Sequence, residues 1–303
     1  MPTSVDITLA ERQMNLGNPR GAIAPLRRAL AEDPDDALAH AYLAFCLGTI
    51  GQYWKSEYEA QNALTLAPDN PSVQFAVGLL ELLHKDYEAA EHHLKEARRR
   101  APWDARCYRF LARLFRVTGR PDKVFPTLHE GLQQAADDVG LITEIGVEYL
   151  HVGRIADAEA RAQQALAITS DNVDSHVLMG EVRLRQGRIR EARDHALIAL
   201  AHNATDASAL QLLCSVKFRR NPLLGLWWRS AVWLSKFDRQ QIQQIGGAFS
   251  SVYLLVAGFF IMMGYPEPAI LYVVVLGYVW GCRRLYARAL RKELQSVQLR
   301  GEF

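Results

Sequence analysis

The sequence predicts an all-α fold in which an array of paired helices is followed by two membrane-spanning helices. Three observations predict it: a 34-residue period from residue 3 to 206, small residues at fixed places in that period, and two uncharged stretches near the C-terminus. Of the 303 residues, 50% are hydrophobic and 22% are charged, which is typical of a folded chain and not of a disordered tail. We therefore expect a large helical core with a separate C-terminal region.

Six blocks of 34 residues cover residues 3–206 with no insertion. Position 8 of each block is small, which lets two antiparallel helices approach closely: Ala10, Ala44, Gly78, Ala112, Gly146, Gly180. Position 15 is glycine in all blocks but one, so it can take the positive φ that ends a helix: Gly17, Gly51, Lys85, Gly119, Gly153, Gly187. Each block therefore reads as a helix, a turn and a second helix.

This pattern resembles the tetratricopeptide repeat (TPR) family. The resemblance implies a helical solenoid, because one helix pair cannot bury its apolar face and must stack on its neighbours. Residues 207–221 continue the pattern as one more first helix, which we interpret as a capping helix. Pro222 stands where its partner helix would begin.

Residues 222–244 are interpreted as an amphipathic segment that lies at the membrane interface. They contain three tryptophans, a residue that favours the headgroup level, beside a basic group: Trp227, Trp228, Trp233 and Arg229. The alternative is that these tryptophans pack beneath the last repeat.

Residues 245–286 are predicted to form a two-helix transmembrane hairpin. The uncharged run 245–265 would be about 31 Å long as a helix, which matches the hydrocarbon core of a bilayer. The second run, 269–282, spans only if the side chains of Arg283 and Arg284 reach back to the interface. A re-entrant hairpin and a buried hairpin within a soluble domain are the alternatives. Gly277 and Gly281 form a G-x-x-x-G pattern that favours close helix contact, within the hairpin or in a homo-oligomer.

The charge distribution predicts the orientation in the membrane. Residues 1–206 carry a net charge of −6, whereas residues 207–303 carry +8, including a basic tail at 287–303. This split argues against a chain that binds nucleic acid along its whole length. Arg and Lys flank the hairpin on both sides and its turn carries only Glu267, so both termini and the repeats are expected on the cytoplasmic side of the cytoplasmic membrane.

Motifs for catalysis, cofactors or metals are not found. The four cysteines are far apart, and the sequence lacks phosphate-binding, dinucleotide-binding, zinc-protease and serine-hydrolase motifs. The adjacent pair His92 and His93 is interpreted as part of a solvated face. We therefore expect no enzyme, no metal and no cofactor.

In the TPR family, positions 2, 5, 9 and 12 of the first helices line a concave groove. In the fourth repeat these positions are Arg106, Arg109, Arg113 and Arg116, whose spacing of 3, 4 and 3 puts them on one helical face. The matching positions nearby are apolar and include Phe45, Phe75 and Leu79. Four like charges on one face predict an acidic segment of a partner as their counter-charge; the alternative is a solvated arginine face.

The resulting functional hypothesis is a membrane-anchored TPR adaptor or scaffold that binds a protein or peptide partner in its groove, with the lipid bilayer as a second partner. The alternative is a structural subunit of a larger membrane or envelope assembly, such as a secretion or biogenesis complex, held mainly through its hairpin.

Overall fold

The computed structural model describes residues 5–220 and 277–288, together with the single residues 251, 262 and 274. Between residues 5 and 220 the regular structure is helical, as the sequence predicts. The α-helices are α1 (Val5–Asn15), α2 (Pro19–Glu32), α3 (Ala37–Thr49), α4 (Tyr53–Leu66), α5 (Pro71–His84), α6 (Tyr87–Arg100), α7 (Ala105–Val117), α8 (Val124–Gln134), α9 (Val139–His151), α10 (Ile155–Ile168), α11 (Val173–Gln186), α12 (Ile189–His202) and α13 (Ala207–Arg220). A 3₁₀ turn at Pro121–Lys123 precedes α8, and residues 277–288 are also helical.

From α3 onward the first helices begin every 34 residues, because each of these six has an Asp or Asn cap at the last position of the repeat before it. In every case the side-chain oxygen accepts a hydrogen bond from a backbone N–H in the first turn, which satisfies a donor that the helix itself leaves open. The caps are Asp36, Asn70, Asp104, Asp138, Asn172 and Asp206. The recurring cap therefore sets the register of the array.

The turn within each repeat has the predicted left-handed residue. The five glycines at position 15 have φ between +72° and +88°. Lys85, the one departure from glycine, also has a positive φ, +66°. The geometry of the turn is thus kept in all six repeats, even where the side chain disfavours it.

Small residues hold the two helices of a repeat close together, at position 8 as predicted and at positions 20 and 27 as well. The alanines at positions 20 and 27 are almost fully buried: Ala22, Ala29, Ala63, Ala90, Ala97, Ala158, Ala165, Ala192 and Ala199. A Cβ on Gly78 would lie 3.0 Å from Cγ of Leu94, so position 8 of that repeat has little room for a larger residue.

A recurring polar contact ties neighbouring repeats together. The side chain at position 4 bonds to the carbonyl oxygen of the proline that ends the repeat before it. His40 Nε2 lies 2.9 Å from Pro34 O, Gln74 Nε2 2.6 Å from Pro68 O, and Tyr108 Oη 2.9 Å from Pro102 O. The same prolines therefore end a second helix and supply a hydrogen-bond acceptor.

The described chain divides into two compact units, each with its own core. The first takes in Met1–Glu148 and Ala160–Ser170, and its largest buried side chains include Leu26, Leu80, Leu111 and Leu128. The second takes in Tyr149–Glu159 and Asp171–Phe303. Its core contains Leu184, Ala196, Leu212 and Val216, between α11, α12 and α13.

Within the second unit, α13 has a helical neighbour that the sequence did not suggest. The side chain of Tyr286, in the segment 277–288, contacts Ser215 and Phe218 of α13. A later part of the chain therefore packs against α13, the predicted capping helix.

The predicted interfacial segment 222–244, most of the hairpin 245–286 and nearly all of the tail 287–303 lie outside the described residues. In the part of the chain that the structure does describe, every helix is too short or too polar to cross a bilayer. The transmembrane hairpin is therefore not shown and stays a prediction.

Candidate partner-binding surface

The predicted arginine face lies on α7, in the first unit. One side of this helix is buried through Cys107, Leu111 and Leu114, and the arginines occupy the other side. The four arginines share one face, as their spacing predicts, but they have different surroundings.

Arg113 and Arg116 are neutralised by glutamates of α9. Arg113 Nη2 lies 2.5 Å from Glu144 Oε2, and its Nε lies 3.0 Å from both oxygens of that carboxylate. Arg116 bonds to Glu148 and lies 3.9 Å from Glu144. The glutamate side chains are only 5% and 7% exposed. The acidic counter-charge expected from a partner is thus supplied to these two arginines by the chain itself.

Burial raises the pKa of Glu148, and the negative charge of Glu144 raises it further, whereas the cation of Arg116 opposes this shift. Arg116 therefore favours the ionised form of this buried carboxyl. The two glutamates and the two arginines form one cluster of ion pairs.

Arg106 is held at the start of α7. Its Nη2 lies 2.7 Å from Oδ2 of Asp104, the cap of that helix, and this contact raises the pKa of Arg106. Its guanidinium also lies 4.8 Å from the centre of the Phe75 ring, which is a cation–π distance. Arg106 is nevertheless 44% exposed and keeps a face open to solvent.

Arg109 differs from the other three. Its Nε is buried, and none of the described residues places an acceptor within hydrogen-bond distance of it. The guanidinium lies against Gly140 of α9, where an added Cβ would be 2.5 Å from Nη1. A glycine thus makes room for a cation whose donors are not fully used.

An aromatic pair adjoins the arginines. Phe75 of α5 is 6% exposed and packs edge to face against Phe110 of α7, with ring centres 5.5 Å apart. Arg113 lies 5.4 Å from the Phe110 ring. Phe45 and Leu79 are half-buried, so each presents some apolar surface. The predicted apolar residues therefore include one buried ring, Phe75, and two partly accessible side chains.

One offset recurs among these contacts: the residues are 31 positions apart. It joins Glu11 to Tyr42 through a 2.7 Å hydrogen bond and Arg113 to Glu144. It also joins Phe75 to Arg106 and Arg109 to Gly140. The sequence analysis did not predict a role for Glu144 or Glu148. A search for opposite charges about 31 residues apart on first helices would have found Glu144.

The predicted membrane-interface residues are described only in part. Trp227, Trp228, Arg229 and Trp233 lie outside the described residues. Arg283 and Arg284 are exposed, and Arg284 lies 4.0 Å from the centre of the Trp280 ring. A Cβ added to Gly277 or Gly281 would meet no described atom within 4 Å, so neither glycine marks a close helix contact among the described residues.

Of the two adjacent histidines, only His92 is exposed. His93 Nδ1 lies 2.7 Å from Gln74 Oε1, so its side chain belongs to the packing of the third repeat and not to a solvated face. Burial lowers the pKa of His93. Across the described residues, His, Cys, Asp and Glu form no group of three suited to a metal ion.

Comparison with protein families supports the resemblance to tetratricopeptide repeats. The tetratricopeptide repeat family model matches residues 7–71 and 143–209. The human protein named Protein SGT1 homolog is 33% identical over 73 residues, which is 24% of this chain and 20% of that protein. The bovine protein of the same name is 30% identical over 88 residues and is covered to 26%. The chain thus spans only about a fifth to a quarter of these curated relatives.

Crystal structures of low sequence identity share the fold. PilW, described as a widely conserved type IV pilus biogenesis factor, has a TM-score of 0.51 at 16% identity, over 69% of this chain and 97% of that one. A chain of the APC/C hetero-tetramer Cut9–Hcn1 has a TM-score of 0.58 at 15% identity, over 94% of this chain and 54% of that one. A tetratricopeptide repeat protein of Parabacteroides merdae ATCC 43184 has a TM-score of 0.52 at 11% identity, over 79% of this chain and 95% of that one.

These findings support a chain built on tetratricopeptide repeats, through the family model at residues 7–71 and 143–209 and through the shared fold. They bring no support for a membrane anchor.

Proposed function

We propose that this protein is a membrane-anchored scaffold that binds an acidic segment of a protein partner on the α5–α7–α9 face of its first unit. Arg109 and Arg106 are the residues that would contact the acidic groups, beside the ring of Phe75. Arg113 and Arg116 support the surface through their ion pairs with Glu144 and Glu148 and contribute less free charge.

The observation that carries this proposal is the state of Arg109. A guanidinium has five N–H donors in a rigid fork that suits a carboxylate, and this one is held against Gly140 with a buried Nε that no described residue satisfies. A buried donor without an acceptor is destabilising. Arg109 as a whole is half-buried, so a carboxylate from a partner would accept hydrogen bonds from the part of the fork that stays accessible and would be fixed in place by it.

The test is a binding assay between the full-length protein and a library of 12-residue peptides that vary in Asp, Glu and aromatic content. We expect selection of acidic peptides and weaker binding as salt is raised. Arg109→Glu should lower the affinity at least about tenfold, because a shielded charge-assisted hydrogen bond contributes roughly 1.5–3 kcal/mol. Arg27→Glu makes the same charge change at an exposed site of α2 and should leave the affinity unchanged.

Gly140→Ala separates binding from stability. The added methyl group would displace the end of the Arg109 side chain, so peptide affinity should fall. Alanine also favours a helix over glycine by up to about 1 kcal/mol, so the fold should not weaken. No preference for acidic peptides, or equal binding by the wild type and Arg109→Glu, would refute the proposal.

The membrane location rests on the sequence of residues 222–303. Two uncharged runs flanked by basic residues support a hairpin with the repeats on the cytoplasmic side. Confinement to a surface would also raise the effective concentration of a captured partner.

A structural subunit of a larger membrane assembly is the second candidate. It is favoured by exposed apolar side chains in the described part of the C-terminal region: Met262, Val274, Trp280 and Leu285. In that case, subunits that co-purify in mild detergent should be retained by Arg109→Glu and lost when residues 222–303 are deleted.

A further inference from the structure

The C-terminal helical segment, residues 277–288, has one face turned away from solvent. Tyr278 is half-buried, Cys282 is 4% exposed and Tyr286 is half-buried, so the covered side chains recur every fourth residue. Trp280 and Leu285 lie on other faces and are exposed. This periodicity is that of a helix packed along one side.

The end of this face contacts α13 within the second unit. Tyr286 Oη lies 3.2 Å from Ser215 Oγ, and its ring packs edge to face on Phe218, with ring centres 5.0 Å apart and planes at 76°. The hydroxyl also interacts with the side chain of Gln211. Tyr286 is thus held by an aromatic contact and by polar contacts together.

The three residues touched by Tyr286 occupy a special place in the repeat. Counted from Ala207 in the 34-residue register, Gln211, Ser215 and Phe218 stand at positions 5, 9 and 12. Arg109, Arg113 and Arg116 stand at the same positions of α7. The C-terminal segment therefore lies on the face of α13 that corresponds to the candidate binding face of α7.

We propose that Tyr286, at the end of the predicted hairpin, is an intramolecular ligand of the α13 groove face. Docking occupies the surface that a partner would otherwise use on this helix and ties the end of the predicted hairpin to the last repeat. The proposal concerns the second unit and does not depend on what the first unit binds.

The buried cysteines provide the test. The full-length protein in detergent is treated with a maleimide, and labelling of each cysteine is followed by peptide mass spectrometry. Cys282 should be protected in the wild type. Tyr286→Ala should speed its labelling about tenfold, since an edge-to-face pair contributes up to about 1.5 kcal/mol beyond its buried area and 1.4 kcal/mol is a factor of ten.

Three comparisons make the result specific. Tyr286→Phe keeps the ring on Phe218 and should stay close to the wild type, whereas Phe218→Ala should expose Cys282 as Tyr286→Ala does. Trp280→Ala removes an exposed aromatic group from the same segment and should change nothing. Cys46 and Cys107, buried in the first unit, should stay protected throughout and report that the repeats remain folded.

If Tyr286→Ala leaves Cys282 as protected as in the wild type, its burial does not depend on docking and the proposal is wrong. Equal exposure by Trp280→Ala would also overturn it, because the effect would then come from the segment as a whole and not from the contact with α13.

Discussion

Lys85 adopts the left-handed backbone conformation, which glycine adopts at the same position of the other five repeats. A non-glycine residue in the left-handed region costs roughly 1–2 kcal/mol. We therefore expect Lys85→Gly to raise the free energy of unfolding by about 1 kcal/mol, as measured by urea denaturation. The reverse change is Gly119→Ala, at φ +73° with no described atom within 4 Å of the new Cβ, and it should cost a similar amount. A destabilised Lys85→Gly variant would mean that the lysine side chain makes a contribution larger than the strain.

The pair Arg113 and Glu144 tests whether the arginine face is structural as well as functional. Removing the guanidinium in Arg113→Ala leaves a carboxylate that is 5% exposed with Arg116 as its remaining cation, 3.9 Å away. An unsatisfied buried acceptor costs roughly 1–3 kcal/mol, and we expect a loss of that size in urea denaturation.

The matched control for this prediction is Arg99→Ala. Arg99 pairs with Glu96 on the surface of α6, where its side chain is 65% exposed, so the loss should stay below about 0.5 kcal/mol. Equal losses in the two variants would show that Glu144 is not effectively buried.

His195, which lies beside His176, makes the second unit sensitive to acid. The Nδ1 atoms of the two histidines lie 3.1 Å apart, so one ring must donate and the other accept. Burial lowers the pKa of His195, and the neighbouring His176 and Arg183 lower it further, against Glu191 and Asp194. The unfolded chain then binds more protons than the folded one below about pH 6.5, so stability falls as the pH drops through this region.

We expect the urea midpoint to decrease between pH 7.5 and 5.5, and the decrease to be smaller in His195→Gln. Glutamine keeps a donor and an acceptor but does not titrate. His202→Gln changes an exposed histidine of the same helix and should leave the pH dependence as it is. A His195→Gln variant with the full pH dependence would show that this pair is not its source.

At the scale of the helix, the recurring cap is the feature that starts each repeat. Oδ1 of Asp36 accepts hydrogen bonds from the N–H groups of Leu38 and Ala39, at 2.9 and 3.0 Å. Asp36→Ala should lower the free energy of unfolding by about 1 kcal/mol. Asp35→Ala removes an adjacent exposed acid and should have little effect. If the two variants lose the same free energy of unfolding, the change in net charge and not the loss of the cap is responsible.

At the scale of the whole molecule, the split between an acidic repeat region and a basic C-terminal region predicts how the chain sits in a membrane. Reporter fusions at Gly119 and near residue 300 should both report the cytoplasmic side, and a fusion near Pro266 the opposite side. Glu267 would then be a charge carried across the bilayer. A signal from the opposite side at Gly119 would refute this topology.

The sequence by itself determined the 34-residue repeat. It predicted the 34-residue period, the helix pairs, the left-handed turn at position 15 and the buried small residues. Lys85 adopts the left-handed conformation of that turn although it is not glycine. These features depend on backbone preferences and on packing within one repeat, so they are encoded by residues that are close in the chain.

Only the tertiary structure decided what the side chains of that array do. Four arginines look alike in the sequence, yet Glu144 and Glu148 neutralise two of them, Asp104 holds a third, and Gly140 makes room for Arg109. Likewise, Ser215 and Tyr286 are 71 positions apart in the chain. Such contacts depend on distances between helices, which the packing of whole repeats determines and a local pattern does not contain.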